Sequence, residues 1–506
     1  MNRRDVMHTV TATLAVLMMA ATVTAAEASD AFLPSVGVTG SSPTLERGGV
    51  TIPLRPEMLS RDDLPVSIPQ TARTTLPNGV RLFTLPSHDL PGLHFIVLLK
   101  AGGVLDPDDK VGLAELTASA LRAGGTENLP PDEFDVRLDE IGSRLSISAE
   151  RQMVRIEMFA LSAKRAEALA LLTDLLLRPA FAERQFEQRK AQKLEEIRRE
   201  NDEPGDVARR EFRRLVYGAG HPLGRVPTTS TVTAVSLADV RRFHEEYYAP
   251  SVCWFGVAGD VTDAEAAAMV TDALASWKKP EPAVAAMPEP DDPESSRPEI
   301  VLIPRRSAQS HLRLGHLTIP RNHPLLPAAE VMSSIYGMSG FSSRLLTEVR
   351  TKRGYAYAVG GGVLADDPRG VFFAAASSKA ASTCSALQAM LDVTTSTATG
   401  SFTDKELDIA RREVVHSFIT RFAIPREIVA NRMVHDLQGY PADFIDTFVE
   451  RVRELGAEDV AAAARELIQP GRIRILVVGN PDEMDCALSD MGDVTTRTLE
   501  TGGGER

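Results

Sequence analysis

The chain has 506 residues, 43% hydrophobic and 25% charged, with a formal net charge of −13. That length and balance suit a globular protein of two or more domains. The acidic surplus and the lack of long basic runs argue against nucleic acid as a partner.

Asn2-Arg3-Arg4 gives a positive start, and residues 10–26 are apolar and small. This is the pattern of a signal peptide over 1–28, with small-x-small cleavage points ending at Ala25 or Ala28. Arg3-Arg4 hints at twin-arginine export, though its flanks match poorly. No later segment is apolar enough to span a bilayer, so an exported, periplasmic bacterial protein is expected. Residues 29–70, rich in Pro, Gly and Ser, read as an irregular lead-in.

From Leu76-Pro77-Asn78-Gly79, a turn into a strand, the pattern becomes regular. His94 to Leu99 reads as a buried strand. Helical patterns follow near 111–123, 131–141, 163–177, 183–201 and 206–216, then from Ser236, before an apolar strand over 252–258. Arg209, Arg210, Arg213 and Arg214 are the densest basic cluster and read as a solvated helix face. Cys253, Cys384 and Cys486 are odd in number and widely spaced, offering neither a disulfide framework nor a paired-Cys metal motif. Cys253, in an apolar strand, reads as a buried small hydrophobe.

Residues 278–298, rich in Pro and Glu, read as an exposed linker. After it the scheme starts again. Asp239-Val240, Pro250 and Gly259 recur with the same spacing as Asp459-Val460, Pro470 and Gly479. A looser echo pairs Phe181, Phe186 and Lys190 with Phe402, Leu407 and Arg411. Two related halves are the natural reading, over 71–277 and 299–490, with 491–506 left as a tail.

In the second half, Ser342-Ser343-Arg344-Leu345-Leu346-Thr347-Glu348-Val349-Arg350 reads as a helix that Gly354 ends. Tyr355-Ala356-Tyr357-Ala358-Val359 then alternates, which places Tyr355 and Tyr357 on one face of a strand. Arg350 and Tyr357 can therefore meet across the turn. On pattern alone, a solvated Arg and a packed Tyr explain the same residues.

The segment SSRLLTEVRTKRGYAYAV resembles the Arg/Tyr region in the C-terminal half of the pitrilysin/insulinase family of zinc peptidases. That family is built from paired halves, so the resemblance implies an α+β fold. Each half would be a mostly antiparallel sheet with helices packed on it. It also implies that Arg350 and Tyr357 reach substrate at a zinc site carried by the other half. The family's inverted H-x-x-E-H motif falls here on Glu115, Ala118 and Ser119, and its third ligand on Glu196. One carboxylate and one hydroxyl cannot replace two imidazoles and a general base. His221, in Gly220-His221-Pro222-Leu223-Gly224-Arg225, resembles a family turn motif, and no other His pair has ligand spacing.

The resemblance thus implies a subunit without zinc of its own, paired with a related zinc-bearing peptidase chain as a heterodimer and acting on peptide or unfolded polypeptide. Tyr357 would hydrogen-bond the scissile carbonyl oxygen as charge develops, and Arg350 would hold a substrate carbonyl. Gly337, Ser339, Gly340, Gly360 and Gly361 would let substrate backbone approach closely, or simply form turns. The alternatives are a catalytically silent scaffold of the same fold, or a peptide-binding chamber that does not hydrolyse.

Overall fold

The computed structural model describes residues 44–47, 50–53, 67–292, 299–340 and 342–499. Residues 1–66 and 67–506 form separate units. The segment read as a signal peptide lies outside the described residues. The lead-in is not wholly irregular: β1 (Thr44–Arg47) and β2 (Val50–Pro53) pair as an antiparallel hairpin.

The larger unit contains two six-stranded sheets. The first comprises β3 (Ala72–Thr75), β4 (Arg81–Pro86), β5 (Gly92–Leu99), β6 (Arg144–Ala149), β7 (Val154–Leu161) and β8 (Cys253–Gly259), in the spatial order β3-β4-β8-β5-β7-β6. The second comprises β9 (Glu299–Pro304), β10 (Gln309–Leu317), β11 (Ala356–Leu364), β12 (Val371–Lys379), β13 (Arg474–Gly479) and β14 (Asp493–Thr496), in the order β11-β12-β10-β13-β9-β14. The run β4-β8-β5-β7-β6 maps strand for strand onto β9-β13-β10-β12-β11. In each five-strand run the first pair is parallel, β4 with β8 and β9 with β13, and the three pairs after it are antiparallel.

The repeated residues occupy matching places. Asp239 closes a capping box with Ser236, and Asp459 in the same place accepts from the Gly456 N–H at 2.7 Å, on helices that lead through Pro250 and Pro470 into β8 and β13. Lys190 donates to the Val235 carbonyl and Arg411 to the Leu455 carbonyl, so both cations tie a long helix to the residue before that cap.

Four helices position the site: α1 (Leu113–Ala123), α2 (Glu183–Arg199), α3 (Pro204–Tyr217) and α4 (Pro425–Leu437). α1 and its neighbours cover one face of the first sheet. The other face is closed from the second half: at Gly256 of β8, a Cβ would meet Met433 Sδ at 2.5 Å and Val429 Cγ1 at 2.6 Å, both on α4. Reciprocally, α3 of the first half lays Val207, Phe212, Leu215 and Val216 against Val301, Ile303, Leu476 and Val478 of the second sheet. Each such side chain contributes about 1.5–3 kcal/mol by leaving water. The ends are pinned alike, by Trp254 Nε1 donating to Asp436 at 2.6 Å and Arg474 Nη1 donating to the Leu215 carbonyl at 2.7 Å.

Three expectations need correction. The supposed tail supplies β14, which adds to β9 in parallel. Arg209, Arg210, Arg213 and Arg214 do not form one solvated face. Arg210 and Arg214 turn inward to the fully buried Glu211 at 3.0 and 3.4 Å, and only Arg209 and Arg213 stay on the other side of α3. Finally, Cys384 and Cys486 form a disulfide, with Cα atoms 6.0 Å apart across a sequence separation of 102. Asp485, beside Cys486, caps the helix Thr383–Ala398 by accepting from the Cys384 and Ser385 N–H groups in its first turn at 2.8 and 3.0 Å. Cys253 is free and buried.

Thiol titration of the denatured, unreduced chain is expected to find Cys253 alone, and all three cysteines after reduction. Replacing Cys384 and Cys486 together by Ser should lower stability by roughly 2–4 kcal/mol. Three titratable thiols before reduction would contradict the pairing.

Candidate functional site

The sequence Leu345-Leu346 to Val349 forms a helix as read, but Leu346–Lys352 is wound one residue wider than an α-turn. The segment Ser334–Met338, which precedes it, is wide in the same way. Such wide turns are uncommon and cluster at functional sites. Gly354, at φ +66°, ends the second one, and its N–H donates to the Arg350 carbonyl at 3.0 Å.

β11 follows at once and forms the free edge of its sheet. The alternation expected for Tyr355 and Tyr357 fails because the strand starts at Ala356 and bulges: Ala356 faces Ser378 while Ala358 already faces Ser377. Tyr357 is the extra residue, and the bulge turns its ring outward to 83% exposure, whereas Tyr355 is half-buried in the preceding turn. The Arg350 guanidinium lies over the Tyr357 ring, 5.4 Å from its centroid. Two nearby cations are spoken for: Arg344 pairs with Glu406 at 2.7 Å and Lys352 with Glu348 at 2.5 Å. Among the described residues Arg350 has no carboxylate partner.

The glycines divide into two kinds. Gly337 and Gly361 are buried against each other, and a Cβ at Gly337 would fall 2.5 Å from the Gly361 nitrogen. Their small size lets the wide turn Ser334–Met338 lie directly on β11. Gly360 is half-buried beside the Gly337 carbonyl, and Gly340 is open. Ser339 is buried, and its Oγ lies 2.6 Å from Ser342 Oγ.

In the first half, Glu115 and Ser119 lie on α1, one turn apart with Ala118 buried between, and Glu196 lies on the adjacent α2. The two carboxylates converge on a lysine that the sequence reading passed over. Lys193 Nζ stands 2.7 Å from Glu115 and 3.4 Å from Glu196. Burial opposes its charge, but Glu115 and then Glu196 outweigh that and hold the ammonium above its ordinary pKa. A fixed cation already fills the place between these carboxylates, and none of the four motif positions carries an imidazole, so the residues present do not fit a zinc ion. Among the described residues no cluster of three His, Cys, Asp or Glu side chains is arranged to hold a metal. The signal for Lys193 was its i,i+3 spacing to Glu196 on α2. His221 is structural: its Nδ1 accepts from the Leu223 N–H, and Nε2 lies 2.9 Å from the Pro288 carbonyl oxygen.

Sequence models of one peptidase family match two stretches of the chain. The insulinase family (peptidase family M16) matches residues 94–224 and the peptidase M16 inactive domain matches residues 234–414. The chain belongs to the M16, or pitrilysin/insulinase, family and carries an inactive-type domain. It is 24% identical over 404 residues to an uncharacterized zinc protease of Streptomyces coelicolor, covering 78% of this chain and 87% of that one. A Pseudomonas fluorescens peptidase M16 inactive domain superposes with a TM-score of 0.75 at 26% identity, over 81% of this chain and 98% of that one. The periplasmic protease PqqL of Escherichia coli shares the fold, with a TM-score of 0.69 at 13% identity, over 82% of this chain and 46% of that one. The expected two-domain α+β fold is thereby established, and no described helix is long and apolar enough to cross a membrane.

Lys193 makes a test of the degenerate zinc positions. Glu115→His, Ala118→Glu and Ser119→His together should bind little zinc while the ammonium remains. Adding Lys193→Gln should raise the metal content toward one per chain, measured by plasma mass spectrometry after dialysis. Equal zinc content with and without Lys193 would show that the ammonium does not hold the place of a metal.

Proposed function

We propose that this chain is the non-zinc subunit of a two-chain M16 peptidase, lending Arg350 and Tyr357 to a zinc site in a related partner chain. The observation that carries this reading is the pair itself. An exposed phenol on a bulged, free strand edge has no packing role, and the guanidinium above it has no carboxylate among the described residues. Both groups are available to a third body. Lys193 between Glu115 and Glu196 supports the complementary point, that the metal belongs to the partner.

In this reading a peptide lies extended across the Arg350–Tyr357 pair. The Tyr357 hydroxyl donates to the scissile carbonyl oxygen as it gains negative charge, and Arg350 directs its planar fork to a backbone carbonyl. Gly340 and Gly360 leave room for substrate backbone, with Ser339 beside them, while Gly337 and Gly361 hold β11 against the turn that supports it. A scaffold role would leave the exposed ring without purpose. Export to an oxidising compartment agrees with the Cys384–Cys486 disulfide and with the apolar run near the start of the sequence. PqqL, which shares the fold, is periplasmic.

Tyr357→Phe in the assembled complex is expected to lower kcat by about 10²–10³ while leaving assembly intact. Arg350→Ala should raise KM as well, since it removes a contact made before the transition state. Tyr355→Phe is the control and should change neither. Parental hydrolysis by both Tyr357→Phe and Arg350→Ala would leave the scaffold reading in place.

A further inference from the structure

A cavity of about 260 Å³ lies behind the wide turn Ser334–Met338, between it and the helix Asp404–Thr420. Thr403 closes a capping box with Glu406 at the start of that helix, which fixes its first turn. Lys405, Ile409 and Glu413 follow at four-residue spacing and all line the cavity, so one face of the helix forms a wall. The facing wall is Ser334 and Ile335, both buried, and Ala410 completes an apolar middle with Ile335 and Ile409. One end of the helical wall is a cation and the other a carboxylate.

Among the described residues Lys405 has no hydrogen-bond or ion-pair partner. Glu413 is half-buried, and its Oε2 accepts from Ser334 Oγ at 2.9 Å, while among the described residues Oε1 has no donor. Glu406, which also lines the cavity, is already held by Arg344 at 2.7 Å. Eight residues of α-helix rise about 12 Å, so the backbone positions of Lys405 and Glu413 are farther apart than the two charged ends of a single amino acid. An extended chain of two or three residues, at about 3.3 Å each, spans that distance once the lysine side chain reaches inward.

We propose that this cavity binds a short peptide of two or three residues with both ends free and an apolar side chain. Lys405 donates to its terminal carboxylate and Glu413 Oε1 accepts from its terminal ammonium, while Ile335, Ile409 and Ala410 receive the side chain. Packed backbone connects this ligand to the candidate site. Glu413 holds Ser334, the first residue of the wide turn, and Gly337 of the same turn rests on Gly361 of β11. Ser333 Oγ, just before the turn, accepts from the Val363 N–H of β11 at 2.9 Å. β11 carries Tyr357. Short peptides with free ends are what peptide hydrolysis releases, so the cavity puts a product sensor behind the Arg350–Tyr357 pair. The product sense rests on the peptidase reading above, whereas the binding does not.

Isothermal titration calorimetry of the full chain tests this with Leu-Leu, N-acetyl-Leu-Leu and Leu-Leu amide. Leu-Leu should bind, and blocking either end should weaken it about tenfold. Lys405→Gln should weaken Leu-Leu by the same factor and leave Leu-Leu amide unchanged. Glu413→Gln should weaken Leu-Leu and leave N-acetyl-Leu-Leu unchanged. Both variants should fold, since Lys405 is exposed and a glutamine carbonyl at 413 still accepts from Ser334. Hydrogen exchange across Ser334–Met338 and β11 should slow when Leu-Leu is bound. No binding of Leu-Leu at millimolar concentration, or equal affinity for all three peptides, would overturn the site. Equal losses of Leu-Leu and its amide on Lys405→Gln would overturn the assignment of the carboxylate to that residue. Binding with unchanged exchange would overturn the link to β11. No zinc chain enters these measurements, so their failure is distinct from failure of the Tyr357→Phe prediction.

Discussion

Two open sheets in one chain each present an apolar face that their own helices leave bare, and each is closed by a helix from the other half. The contact at Gly256 shows how tight this is, since Met433 and Val429 occupy the space of a side chain there. Neither half can bury its sheet alone, so the two are held in one arrangement by the same hydrophobic burial that forms their cores. The exchange also decides what the second sheet can present. α3 covers β9, β10 and β13 with its apolar side. β11, farthest from α3, is left as a free edge.

At that edge several small departures from regular geometry act together. Two wide helical turns, a Gly354 stop at positive φ and a one-residue bulge bring Arg350 and Tyr357 within 5.4 Å and expose them jointly. Gly337 and Gly361 let the supporting turn rest on the strand, so the pair is mounted on packed backbone. In the first half the degenerate zinc positions went another way. A lysine ammonium bridges two carboxylates there, which stabilises the α1–α2 contact and satisfies their charge without a metal. The halves have kept one fold while their chemistry has diverged.

Much of the architecture was legible because it is written in local patterns. Helical periodicity placed the main helices to within a few residues, and the Asp239/Asp459 spacing exposed the repeat. The helix-to-turn segment around Gly354 located the Arg/Tyr pair. What escaped depends on distant contacts. The Cys384–Cys486 pair is 102 residues apart in sequence, and nothing local joins its members. β14 is a short polar stretch that becomes a strand only because β9 offers an edge. The bulge at Tyr357 leaves no trace in an alternating sequence. The Arg cluster on α3 looked uniform because Glu211 was not known to be buried between two of its members. Lys193 lay in plain view, but its second carboxylate comes from another helix.

The most direct test of the central claim is a stoichiometric titration. The chain is added to a candidate zinc-bearing M16 chain, and peptide cleavage is followed at fixed zinc-chain concentration. The account predicts negligible cleavage by either chain alone and a rate that rises to a plateau at one chain per zinc chain. Full cleavage by the zinc chain alone, unchanged on adding this one, would contradict it.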